Sequence, residues 1–187
     1  MRGAGRTAVT YLKGAAVALG LTCAASGTAL ACGVSAMDDG IVAKAVRTLQ
    51  SDLMVASLQC GGRDAYNAFM QTYDPHLVGN NRRLKQHFVD RHGGGHKMAL
   101  NTYLTSIANQ GALRMALTGN RFCTRSEVLH ERLAETPSDG RLRMVAIAYA
   151  ASAVPYLAEE LDEGASQQGC TAYKVAFESD LKEIVQE

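Results

Sequence analysis

DDGIVAKAVRTLQSDLMVASLQC, residues 38–60, carries the clearest pattern in the chain. Val42, Val46, Leu49, Leu53, Ala56 and Cys60 recur at alternating intervals of four and three, which sets all six on one helical face. Asp38 or Asp39 can cap the start of such a helix, and Gly61-Gly62 can end it. A face this regular predicts a buried helix with Cys60 on it, pointing inward.

Downstream, the helical period recurs. Tyr66, Phe69, Met70 and Tyr73 form an aromatic stripe on a short second helix, which Asp74-Pro75 should break. A third helix over 76–92 turns Leu77, Leu84, Phe88 and Val89 inward, with Arg82, Arg83 and Lys85 elsewhere on its surface. Gly93-Gly94-Gly95 separates it from a fourth over 97–117, where Leu100, Leu104, Ile107 and Ala108 face inward until Gly119-Asn120. Thr124-Arg125-Ser126-Glu127 matches a capping box for a fifth. The uncharged run 144–154 reads as a central buried sixth helix that Pro155 kinks or ends, and it is too short to span a bilayer. Residues 159–169 read as a polar loop. Tyr173, Phe177, Leu181 and Ile184 mark a last amphipathic helix. No strand alternation or internal repeat interrupts this order. The chain has no Trp and only 3 Pro, while Ala, Leu and Val abound, which favours helices over a sandwich. The expected fold is all-α: one compact bundle of about six to seven helices stapled by a disulfide.

Upstream, Arg2, Arg6 and Lys13 precede any acid, and a short apolar stretch follows from Gly14 to Ala29-Leu30-Ala31. Basic, then apolar, then small-x-small is the order of a secretory signal. Residues 1–31 are expected to be a signal peptide and 32–187 one helical periplasmic or secreted domain. Cleavage after Ala31 would put Cys32 at the new terminus, which opens a lipid-anchored alternative, although a lipobox normally has Leu where Ala29 stands. The signal holds three of the 19 Lys+Arg and none of the 18 Asp+Glu, leaving 16 basic against 18 acidic residues. That balance gives no footprint for nucleic acid.

Cys32, Cys60, Cys123 and Cys170 lie beyond the signal, and an oxidising compartment favours pairing them. Cys60 and Cys123 each fall near a helix end and form the favoured pair. Closing their loop is worth about 4 kcal/mol in the chain-entropy model. Cys32 and Cys170 then pair with each other or stay free. At a helix start Cys123 has a second reading, as a low-pKa nucleophile.

His87, His92 and His96 are the one visible cluster with metal chemistry, for zinc or copper. Five residues separate His87 from His92, about 140° apart on a helix, so the glycines would have to fold His96 back toward one of them. The Gly-Gly-Gly run lacks the phosphate-loop pattern and reads as a connection. Tyr66, Phe69 and Tyr73 are either core or the lining of an apolar pocket between helices. Arg82, Arg83 and Lys85 are either a solvated face or a contact for anionic envelope material. Glu127, Glu131 and Glu135 look like helix-surface residues, and no hydrolase or EF-hand motif is present.

Leu58-Gln59-Cys60, Tyr66-Asn67-Ala68-Phe69, Tyr103-Leu104-Thr105-Ser106-Ile107-Ala108-Asn109 and Arg121-Phe122-Cys123 together resemble a group of small exported proteins of alphaproteobacteria, mostly uncharacterised. The resemblance covers about residues 40–125. It implies a periplasmic helical domain with Cys60 and Cys123 as recurring cysteines, and it implies no activity. The leading functional expectation is a non-enzymatic domain that binds a partner or serves the envelope. The alternatives are a periplasmic enzyme, a hydrolase with a site assembled from distant residues, and a metal-binding protein using the histidines.

Overall fold

Residues 38–60 form the predicted helix, and it runs as the axis of the molecule. The computed structural model describes residues 37–167. Its elements are α1 (Asp39–Gln59), α2 (Arg63–His92), a 3-10 turn (Gly93–Gly95), α3 (His96–Thr118), α4 (Asn120–Glu135), α5 (Asp139–Ala153) and α6 (Pro155–Gln167). The described residues are therefore all-helical apart from short connections. None of these helices is long and apolar enough to cross a membrane.

Asp38 caps α1: its Oδ1 accepts from the backbone N–H of Gly40 at 2.8 Å and of Ile41 at 3.0 Å. These are donors that an uncapped helix start leaves orphaned. Fourteen of the 21 residues of α1 are buried, among them Thr48, Gln50, Ser51, Asp52 and Ser57. One apolar stripe does not require that. It follows because α2, α3 and α5 all pack against α1. The main core joins Val42, Val46, Leu49 and Leu53 of α1 to Phe69, Tyr73 and Leu77 of α2. Leu129 and Leu133 of α4, residues 145–150 of α5, and Leu157 and Leu161 of α6 complete it. The uncharged run is thus the buried helix expected. A smaller core gathers Ala43, Leu84 and Phe88, with Leu100 and Tyr103 packed against it.

The element borders differ from the sequence expectation in four places. The second and third predicted helices are one, because α2 passes through Pro75. Pro75 lies on the exposed face, so the carbonyl it leaves without a donor faces water, while Tyr73 and Leu77 anchor the helix on either side. α4 starts at Asn120 after Gly119, with no side-chain cap, so Thr124 to Glu127 lie inside the helix and form no capping box. Gly119, at φ +50°, makes the reversal that starts it. Most of the predicted polar loop over 159–169 is α6, whose Leu157 and Leu161, one turn apart, enter the core. In α3, Ile107 and Gly111 are buried and Ala108 is exposed, so this helix meets α1 on a different line from the one predicted. Pro155 does end α5, and it opens α6 at the position where its missing N–H costs nothing.

Cys60 and Cys123 are joined in a disulfide, Cα to Cα 5.7 Å, closing a sequence separation of 63. Cys60 sits half-buried at the C-cap of α1, not inward on its core face. The signal segment, Cys32, Cys170 and the predicted last helix lie outside the described residues.

The α1/α3 crossing is close enough to require glycine. A Cβ on Gly111 would collide with Oδ1 of Asp52. Gly111→Ala is expected to cost about 1–3 kcal/mol through strain at this contact. Gly79→Ala in α2, whose new Cβ would lie 3.9 Å from the nearest atom, is expected to be neutral or stabilising. Urea unfolding of both variants checks this; equal midpoints would refute the close crossing.

Candidate functional site

Between α2 and α4 the small side chains leave a gap. The two helices run in the same direction here: Phe69 meets His130, and one turn on Tyr73 meets Leu133. Ala65, Ala68 and Thr72 of α2 and Ala134 of α4 are too short to fill the space between the axes. A cleft of about 280 Å³ results, walled by these residues with Phe69, Tyr73, His130, Glu131 and Leu133. The aromatic stripe read from sequence therefore does two jobs. Phe69 and Tyr73 are buried core residues and also line the cleft, while Tyr66 packs on Phe69 from outside it.

The cleft has few polar groups. The Tyr73 hydroxyl donates to the Leu133 carbonyl at 2.7 Å, so it is already committed. His130 stands edge-on to Phe69 with ring centroids 6.2 Å apart. Among the described residues neither of its ring nitrogens has a hydrogen-bond partner. Burial holds its pKa below the ordinary imidazole value of 6.5, because a charged ring would lose solvation there. Neutral imidazole offers one donor and one acceptor.

Two other polar clusters are bonded internally, although Arg125 Nε beside the first and the Tyr156 hydroxyl at the second are buried without a partner among the described residues. Asp52, 3% exposed, receives Arg114 Nε at 3.0 Å and Nη2 at 2.7 and 2.9 Å, and the Tyr149 hydroxyl as well. Burial raises the Asp52 pKa, while the Arg114 charge and the two sets of hydrogen bonds pull it back. Burial and the neighbouring Asp52 charge push the Tyr149 phenol far above its ordinary range. The space beside the trio is about 10 Å³, room for no substrate. A second knot lies where α6 meets α1. Lys44 Nζ bonds both Glu160 oxygens at 2.5 and 2.6 Å, between the rings of Tyr103 and Tyr156. The Tyr103 hydroxyl donates to the Lys44 carbonyl at 2.9 Å and lies 3.1 Å from Thr48 Oγ1.

The three histidines proposed from sequence are not brought together. His87 faces the start of α1, with Nδ1 3.7 Å from Asp38 Oδ1 and its ring against Gly40. Burial, then the charge of Arg91, lowers its pKa. His92 stacks on Phe88, and His96 Nδ1 lies 2.7 Å from the Gly93 carbonyl. Among the described residues no three His, Cys, Asp or Glu side chains converge as a metal ion requires. Cys123 is consumed by the disulfide and offers no thiol. The three glycines form an exposed 3-10 connection. Arg83 reaches Asp139 at 3.3 Å, while Arg82 and Lys85 face solvent. Glu135 pairs with Arg141, Glu127 is exposed, and Glu131 borders the cleft.

Sequence reasoning missed His130 and the Asp52–Arg114–Tyr149 trio. His130 had a faint signal: it follows Leu129 and precedes Leu133 in α4, beside the buried stripe. The trio had none, since 62 and 97 residues separate its members from Asp52. The chain matches no family model, no curated protein and no solved structure, so the resemblance drawn from its short segments gains no support there.

Two outcomes follow from these electrostatics. Asp52→Ala leaves the half-buried Arg114 guanidinium and the buried Tyr149 hydroxyl without their partner, and is expected to cost about 2–4 kcal/mol. Adding Arg114→Met should recover part of that loss; an additive double variant in urea unfolding would sink the claim of coupling. The second outcome concerns pH. His87 and His130 have lowered native values, so the unfolded chain takes up their protons first. The stability they contribute is full above about pH 6.5 and is lost as pH falls through the lower native values. Asp52 acts in the opposite sense: its contribution is full below 3.8 and is lost as pH rises through its raised native value. The unfolding free energy should therefore drop more, or rise less, from pH 7 to pH 5 in the wild type than in His87→Gln/His130→Gln, in which only the Asp52 contribution remains.

Proposed function

We propose that this chain is an exported, non-enzymatic binding domain that works in the periplasm and holds a small apolar ligand in the α2/α4 cleft. The observation that carries the reading is the cleft itself. It is an apolar space of about 280 Å³ with one uncommitted imidazole, near the lower end of the size range of small-molecule sites. The basic, apolar, small-x-small order of residues 1–31 supports export, and the Cys60–Cys123 disulfide accords with an oxidising compartment. Asp52 is bonded to Arg114 and Tyr149, and Lys44 to Glu160, so neither carboxylate is left free to act as a base.

The test uses toluene as an apolar probe of the cleft. Titrating it into the oxidised protein should shift the amide resonances of Phe69, Tyr73, His130 and Ala134 in NMR spectra. Ala68→Phe, which fills the cleft from its exposed lip, should abolish the shifts and leave the remaining spectrum in place. No response to toluene or to its hydroxylated analogue p-cresol would end the binding reading. Fractionation of cells making the full chain tests the location: a processed, oxidised protein in the periplasmic fraction is expected, and a reduced, unprocessed one in the cytosol would contradict export.

A further inference from the structure

Resting on the cleft reading above, we infer that the ligand is a small aromatic molecule, neutral or cationic, carrying a hydroxyl or N–H that donates to His130. Three features of the cleft select this class.

The first is its shape. Phe69, Tyr73 and His130 present three rings along it, with Phe69 tilted against Tyr73 at 5.4 Å between centroids and edge-on to His130 at 6.2 Å. Alanines and Thr72 stand between them. A flat ring can meet these neighbours in the offset and edge-to-face arrangements that aromatic pairs prefer. The volume of about 280 Å³ suits one ring or two fused rings.

The second is hydrogen bonding. The Tyr73 hydroxyl is already given to the Leu133 carbonyl, and the other polar lining residues, Thr72 and Glu131, are exposed. His130 has both nitrogens unspent among the described residues. A polar atom taken out of water needs a partner in the site, and a ligand donor meets the imidazole's acceptor nitrogen. Burial keeps that ring neutral near pH 7, which preserves the acceptor.

The third is charge. Glu131 is the one formally charged residue among those lining the cleft, and it is exposed at its border. A carboxylate there repels an aromatic acid and tolerates a phenol, an indole or an aromatic amine.

Three probes that differ in one group test the assignment: p-cresol, 4-methylanisole and toluene, titrated by NMR into the full-length oxidised protein. One neutral hydrogen bond predicts that p-cresol binds about three- to tenfold more tightly than 4-methylanisole, in which a methyl replaces the donated proton. His130→Leu should level the two while toluene still binds. His130→Gln, which keeps an acceptor, should retain a preference for p-cresol. If toluene binds but p-cresol and 4-methylanisole bind equally in the wild type, the donor assignment is overturned and the binding function stands. If none of the three binds, the binding function itself has failed. N-acetyl-tyrosinamide is the remaining arm. Weaker binding than p-cresol supports a free small molecule, and tighter binding makes the occupant an aromatic side chain of a partner, which overturns the small-molecule assignment.

Discussion

The buried carboxylate of Asp52 sets the terms for the rest of the structure. It lies in the middle of a helix that is covered by α2, α3 and α5, so it cannot reach water. An ionised carboxylate in that position is tolerable only if its lone pairs are met. Arg114 of α3 and Tyr149 of α5 meet them, and in doing so fix the register of both helices on α1. Gly111, one turn before Arg114, lets α3 come close enough for the guanidinium to bond bidentately. Such a pair is weak evidence of net stability against a well-packed apolar alternative, but it discriminates between registers that an apolar contact would tolerate.

The same logic repeats along α1. Asn80 of α2 donates to the Ala43 carbonyl at 3.1 Å, Tyr103 of α3 to the Lys44 carbonyl, and Lys44 itself binds Glu160 of α6. Each of these neighbours thus has at least one directional tie to the axis besides its share of the core. A helix rich in Ala, Val and Ser presents a smooth surface on which neighbours can slide. The polar ties remove that freedom at particular residues.

This explains which parts of the molecule could be read from the sequence. The apolar period of residues 42–56 and the uncharged run 144–154 are local signals, and both helices appear where the period put them. The cysteine pairing was legible because helix ends are places where chain segments meet. Pro75 and the Thr124 box misled for a shared reason: local stop and start signals are worth only a few kcal/mol at most, and packing of Tyr73, Leu77, Phe122 and Ser126 on either side outweighs them. The histidines that are neighbours in sequence are turned to different neighbours in space, His87 to α1 and His92 to Phe88, a divergence that no local pattern announces. Of the candidate cleft, Phe69 and Tyr73 were visible as a stripe. His130 and Leu133 were not, because the opposite wall comes from some sixty residues later, and only the parallel course of α2 and α4 brings it there.

That parallel course follows from two chain reversals, at Gly93–Gly95 and at Gly119, and the staple marks where it starts. α2 begins at Arg63, three residues after Cys60, and the disulfide places the first turn of α4 against the same point. The two helices therefore leave a common corner side by side. At the far end, Arg141 of α5 donates to the Arg132 carbonyl at 2.8 Å and pairs with Glu135, which holds the last turn of α4. Between these ends the Tyr73 hydroxyl fixes the spacing at Leu133. The corner and the Tyr73–Leu133 hydrogen bond set the spacing of α2 and α4, and the alanines between them leave the gap unfilled. The cleft is present in the protein as it folds, so a ligand of the kind proposed would not have to supply the free energy of opening. A corner made by one covalent bond and a wall of small side chains are enough to leave a cleft in an ordinary helix pair.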